Sequence, residues 1–359
     1  MLFVRVLVFI LGFGIVIATV LSATRTFVLP RSVVVKLTRA VFLTSRFLFN
    51  LWTRRTTTYE ERDRVMALYA PITLLILPAV WLVLVLVGYM GMFWAIGVGS
   101  WRMAFKVSGS SLLTLGFAQV DELPGTVLSF SEATIGLVLV ALLIAYLPTM
   151  YGAFSRRELA VTMLEVRAGS PPSAIEMFAR FHRLNRLDRL NELWVTWESW
   201  FADIEETHTS LAALTFFRSP QSDHSWVTAA GAILDAAALA TSVIDIPHDR
   251  QADLCIRAGY LALRRISDLF RITYNPTPTP DDPVSISREE FDAACEELVN
   301  AGVPLKLDRD QAWHDFRGWR VNYDKVLLSL AGLTMAPYAP WSSDRSLVPV
   351  RQPLIRRGN

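Results

Sequence analysis

No charged side chain occurs from Val65 to Trp101, a run of 37 residues, and none from Ala133 to Ser155. A bilayer's hydrocarbon core is about 30 Å thick and is crossed by about 20 apolar residues. Both runs therefore read as membrane spans, and the first is longer than one crossing needs. The average composition, 52% hydrophobic, hides two unlike halves, because charges return after Arg156 in the pattern of a globular domain. A net charge of +2 gives no ground for a nucleic-acid partner. The two cysteines, Cys255 and Cys295, make no disulfide framework and suit a reducing compartment.

A third apolar run covers residues 1–22, with Arg5 as its only charge. It has features of a secretory signal, but its flanks favour a retained span. Nine basic residues lie between Ala23 and Arg64 against Glu60, Glu61 and Asp63, and such a segment stays in the cytoplasm. The N-terminus is then outside, and the expected setting is a multi-pass protein of the cell membrane. Residues 32–52 are long enough to cross, but Ser32, Lys36, Arg39, Arg46, Asn50 and Arg54 fall on one helical face. Burying each cation at mid-bilayer costs about 2.5–3.5 kcal/mol. The segment is expected to lie in the headgroup plane, with anionic lipid headgroups as partners of residues 32–55. The next span is placed at residues 70–92, with Gly88, Gly91, Gly97 and Gly99 thinning out its end. The last returns to the cytoplasm at 133–155, where Arg156 and Arg157 fix its inner end.

Between these two spans, Trp101–Leu113 is too short to cross and too apolar for a solvated loop. Thr114-Leu115-Gly116-Phe117-Ala118 follows, and then a polar exit with Asp121, Glu122, Pro124 and Gly125. A short helix aimed into the membrane and an extended return strand form a re-entrant pore loop, whose carbonyls survive at depth by facing ions. Residues 68–157 resemble the two-span, pore-loop potassium channel superfamily, whose filter pattern is Thr-x-Gly-(Tyr/Phe)-Gly. The order of parts is similar as well: outer helix, pore helix ending in Ser110 and Ser111, filter, and an inner helix opening with Glu132 and Gly136. The resemblance implies a cation channel of four chains around one axis, with potassium or sodium as the permeant ion. It assigns Thr114–Ala118 to the filter and Asp121 and Glu122 to the outer mouth; Glu132, at the outer end of the inner span, reads as a pore-helix anchor ahead of a simple interfacial residue. The family's last filter glycine is Ala118 here and the acid after it is Gln119, so the outer half of the filter is expected to be shaped differently. Pro148 removes a backbone hydrogen bond inside the inner span and is the expected gate hinge.

The whole chain is expected to be all-α. The C-terminal half reads as a helical cytoplasmic domain over residues 157–336, with helices at about 172–215, 222–246, 250–272, 287–302 and 309–333, and a flexible tail over 337–359. Ser287-Arg288-Glu289-Glu290 is a capping box. Trp194, Trp197 and Trp200 read as a core or subunit-contact stripe rather than a binding cage. Glu205, Glu206, His208 and His224 read as scattered residues rather than a metal site. No nucleotide-binding glycine pattern, phosphate loop, paired-cysteine zinc spacing or nucleophile–base arrangement appears, so no catalytic residue and no cofactor is expected. Two readings stand: a channel subunit, or a non-conducting sensor or scaffold on the same fold whose cytoplasmic helices bind a partner.

Overall fold

The computed structural model describes residues 1–27, 36–53, 56 and 58–345. Among these the chain is helical, with one isolated β-bridge between Ile244 and Leu305. It divides into two compact units, Met1–Thr57 with Val65–Gly152, and Thr58–Arg64 with Ala153 onward. Three helical stretches are long and apolar enough to cross a membrane. They are α1 (Leu2–Phe27), the stretch formed by α3 (Tyr59–Ala67) with α4 (Tyr69–Ala95), and α6 (Leu123–Ala168). The other helices of the first unit are α2 (Lys36–Thr53) and α5 (Trp101–Leu112).

Between lipid-exposed helices there is no hydrophobic driving force, so close packing must come from small residues. Gly12 of α1 and Gly88 of α4 meet backbone to backbone, and a Cβ built on Gly12 would lie 2.4 Å from the Gly88 carbonyl oxygen. Gly91 faces Val8 in the same seam. These glycines do not thin out the end of α4, as their spacing suggested; they are where α1 approaches. The helix ends instead at Ala95, and Gly97 beyond it, with a φ of +98°, lets the Val98 amide return to the Phe93 carbonyl. The amphipathic α2 packs on α4 through Phe42 and Phe49 against the Tyr69 ring, and leaves Phe47, Leu48, Leu51 and Trp52 exposed. The expected interfacial segment thus begins at Lys36 in α2; residues 32–35, Arg54 and Arg55 lie outside the described residues.

In the second unit, α9 (Trp226–Ser242) is buried almost from end to end. Its alanines and Gly231 keep it thin, and a helix apolar all round belongs in a core. Around it stand α7 (Ala174–Arg183), α10 (Arg250–Leu269), α12 (Arg309–Arg320) and α13 (Asp324–Thr334). Helix α8 (Leu190–Ser210) lies along α10, and α11 (Arg288–Asn300) lies on α7. The expected helix at 172–215 is two helices, because Asn185 takes a left-handed φ of +56° after α7. The Ser287 capping box forms with both of its hydrogen bonds and opens α11. Trp194, Trp197 and Trp200 are buried core residues of α8. Pro337–Arg345 does not trail off: Arg345 reaches Glu290, and the Trp341 carbonyl accepts from Arg320 Nη2 at 2.6 Å. Residues 346–359 lie outside the described residues.

Two arginines organise this unit. Arg320, wholly buried, donates to Asp235 Oδ1 at 2.6 Å and Asp324 Oδ1 at 2.7 Å, tying α9, α12 and α13 together. Arg157 was expected at a membrane boundary, yet α6 runs on without a break to Ala168 and Arg157 is only 1% exposed. It donates to Glu158 Oε1, the Leu214 carbonyl and the Phe217 carbonyl, each at 2.8 Å. Its Nη1 also lies 3.2 Å from His208 Nε2. A guanidinium has no lone pair to offer, so Nε2 must accept and the ring is neutral.

Substituting Gly12→Val should destabilise the first unit by about 1–3 kcal/mol, since the helices cannot close over the new methyls. Gly14→Val, where a Cβ meets nothing within 4 Å, should be close to neutral. Thermal unfolding in detergent compares the two. A second outcome concerns His208, whose pKa is held well below 6.5 by burial and then by the Arg157 charge. The unfolded ring takes up a proton below about pH 6.5 and the folded ring does not, so stability present above that pH is lost as pH falls through it. His208→Gln, which keeps an acceptor for Arg157, should flatten that acid limb in denaturant titrations followed by tryptophan fluorescence.

Candidate pore-loop site

The segment between α4 and α6 begins with a cap. Ser100 accepts from the Met103 amide and starts α5, whose 12 residues reach only about 18 Å. Trp101 stacks on Trp94 of α4, with ring centroids 4.8 Å apart. Ala104, Val107 and Ser108 form the buried stripe of α5 at helical spacing. A serine on such a stripe needs a partner, and Ser108 Oγ donates to Glu132 Oε1 at 2.5 Å while lying 3.1 Å from the Leu86 carbonyl. One hydroxyl on α5 therefore touches both α4 and α6. Glu132, fully buried, meets the short helix at this point. Beside it Tyr89 Oη and Ser131 Oγ pair at 2.8 Å. Gly136 adds a backbone contact, since a Cβ there would lie 2.4 Å from the Leu112 carbonyl oxygen.

The chain does not leave α5 as an extended strand. Thr114 takes a left-handed φ of +55°, and the Leu115 amide turns back to the Ser110 carbonyl at 2.8 Å. The reason is local: the last carbonyls of α5 need donors, and a left-handed residue after the helix supplies them. Ser110 holds the loop a second time, its Oγ accepting from the Ala118 amide at 3.0 Å. Gly116 has φ +74°, whereas Ala118 is not among the residues of positive φ. The position where the family pattern has glycine thus takes an ordinary backbone here, and alanine fits it without strain. Thr114, Leu115, Gly116 and Phe117 are exposed in the single chain, with Leu115 at 60% and Phe117 at 67%.

The chain matches no known protein family, and no curated protein or solved structure is significantly similar to it.

Asp121 and Glu122 are exposed just before α6, whose first residue, Leu123, comes ten positions earlier than the 133 expected. Pro124 and Gly125, expected in the polar exit from the loop, lie in its first turn, where a missing amide hydrogen costs nothing. Thr126 Oγ1 bonds back to the Val120 carbonyl at 2.9 Å and fixes this return. Pro148 sits inside α6 on an exposed face, and the helix continues through it. The structure brings Ser108 and Ser110 to Glu132 and Ala118, respectively, and leaves Asp121, Glu122 and Pro148 apart from them. Ser108 was not singled out from the sequence, although a hydroxyl at i, i+4 from Ala104 on an apolar stripe was the available signal. Among the described residues no cluster of acids, histidines or cysteines is arranged to hold a metal.

Ser110→Ala removes the side-chain acceptor for the Ala118 amide and keeps the helix. Amide hydrogen exchange of residues 115–118 should speed up by about tenfold, the weight of one hydrogen bond of about 1.4 kcal/mol, with the rest of the first unit unchanged.

Proposed function

We propose that the chain is the pore-forming subunit of a potassium-channel-like cation channel. The observation that carries this reading is the α5 hairpin. A capped helix too short to cross lies between two stretches apolar enough to do so, pinned to both by Ser108 and followed by a loop of exposed backbone. Within a bilayer such a loop is tolerated only where it lines a cavity or is buried in protein. A single loop cannot enclose a path, so the reading requires a closed ring of copies, four by the family resemblance. Carbonyls of Thr114–Ala118 would then face monovalent cations, Asp121 and Glu122 would stand at the outer mouth, and Pro148 would bend the inner helix at a gate. The amphipathic α2 would rest among anionic headgroups, with its exposed Phe47, Leu48, Leu51 and Trp52 in the membrane surface.

A second reading, a non-conducting sensor or scaffold, is favoured by one observation. Thr114 closes α5 with a left-handed cap in place of an extended filter strand.

Planar-bilayer recording of purified protein separates the two. Gly116 has a left-handed φ of +74° with open space around it, so valine strains the backbone there without a clash. Gly116→Val should abolish current and leave a four-chain particle intact by mass measurement. Ala118→Gly, which relieves no strain here, should shift ion preference only if residue 118 lines the path. Absence of current from intact wild-type tetramers would leave the scaffold reading.

A further inference from the structure

One short loop of the second unit holds two other segments. The carbonyls of Leu214 and Phe217 both accept from Arg157 of α6. The next residue, Arg218, pairs through Nη1 with Asp63 and lies 3.3 Å from Tyr59 Oη, both on α3, which precedes α4 in the chain. Its Nη2 donates to the Thr334 carbonyl at 2.7 Å and the Met335 carbonyl at 3.2 Å. Residues 214–218 thus grip the helix that continues α6 and the helix that leads into α4.

Behind this loop lies a recess walled by Thr215–Ser219, by His224–Trp226 at the start of α9, and by Thr334, Ala336 and Pro337. About 20 Å³ of it is open to the centre of a water-sized sphere, enough for one small occupant. Thr215 Oγ1, Ser219 Oγ and His224 Nδ1 have no hydrogen-bond partner. Their residues are 1%, 7% and 9% exposed, so water at the outer surface does not serve them. A buried polar atom left unpaired keeps the full cost of its lost hydration, and three around one recess mark a place for a polar occupant. The sign of that occupant follows from the walls. The lining holds no carboxylate and includes the positive end of α9, capped by Ser225; it also includes Arg218, whose charge Asp63 already partners. His224 Nε2 lies 3.4 Å from Glu165 Oε2, and Nδ1 is the ring nitrogen left without a partner beside the recess.

We infer that this recess binds a small monovalent anion of about chloride size, joining Thr215 and Ser219 to His224 and stiffening the loop that grips α3 and α6. A phosphate is too large for the space. The binding site stands independently of the channel reading; its effect on gating rests on that reading.

The experiment uses the full chain in detergent, with sodium chloride exchanged for sodium gluconate at constant ionic strength. Chloride should raise the thermal midpoint in a saturable way and broaden the ³⁵Cl resonance, with nitrate or bromide displacing it. Thr215→Val with Ser219→Ala should remove both effects, and if that pair folds poorly, Ser219→Ala alone should at least halve the broadening. Equal midpoints in both salts with no ³⁵Cl broadening would overturn the site and mean that water serves these atoms. In a bilayer, exchanging cytoplasmic chloride for gluconate should change open probability by about fivefold in wild type and leave Ser219→Ala unaffected. Current that ignores the exchange, with chloride bound, overturns the coupling. No current at all, with chloride bound, overturns the channel reading and leaves the site standing.

Discussion

Inside hydrocarbon no water completes the hydrogen bonds of the backbone, and this constraint shapes the first unit more than any single contact. It makes the three long apolar stretches helices, because a helix satisfies its own amides. It makes Gly12 and Gly88 valuable, because lipid tails compete with leucine and only close backbone approach favours α1 on α4. It also explains the density of side-chain hydrogen bonds around α5. Ser108, Glu132, Tyr89 and Ser131 find partners among themselves and the Leu86 carbonyl, and Ser110 closes the loop where the helix leaves amides and carbonyls open.

The second unit meets the opposite problem, that of holding charge in a dry core. Arg320 and Arg157 are both buried, and each is surrounded by acceptors. Burying an ion costs several kcal/mol, and the cost is offset only when hydrogen bonds fill its donors. Neither arginine therefore signals simple stability. Each fixes which elements meet: Arg320 selects the register of α12 and α13 on α9, and Arg157 fixes the 214–217 loop on α6. Replacing Arg157 by methionine would leave two carbonyls and Glu158 without it, and so would loosen the loop first.

The contrast between Arg156 and Arg157 shows how far charge patterns carry. Arg156 is an exposed partner of Asp203, as a residue at the end of a span would be. Arg157, its neighbour, points into the core of the second unit, because successive helical residues are turned by 100° and α6 does not stop. A count of basic residues cannot separate the two. The exit from the loop tells the same story: Pro124 and Gly125 were expected outside the helix, but proline is compatible with a helix's first turn, and Val120 packs where a Cβ on Gly125 would sit.

The sequence by itself determined the helical class, the three stretches fit to cross a bilayer, the amphipathic α2, the capping box of α11 and the buried tryptophan stripe. Each follows from local spacing, length or charge, which a chain carries without its neighbours. Only the tertiary structure decided that α6 is one helix through Pro148 to Ala168, that Ser108 meets Glu132, and that Thr114 closes α5. It also decided that one loop holds Arg157 and, through Arg218, Asp63, which are 94 positions apart in sequence. These are pairings between distant residues, set by which faces the helices bury, and no local pattern encodes the partner of a buried polar group.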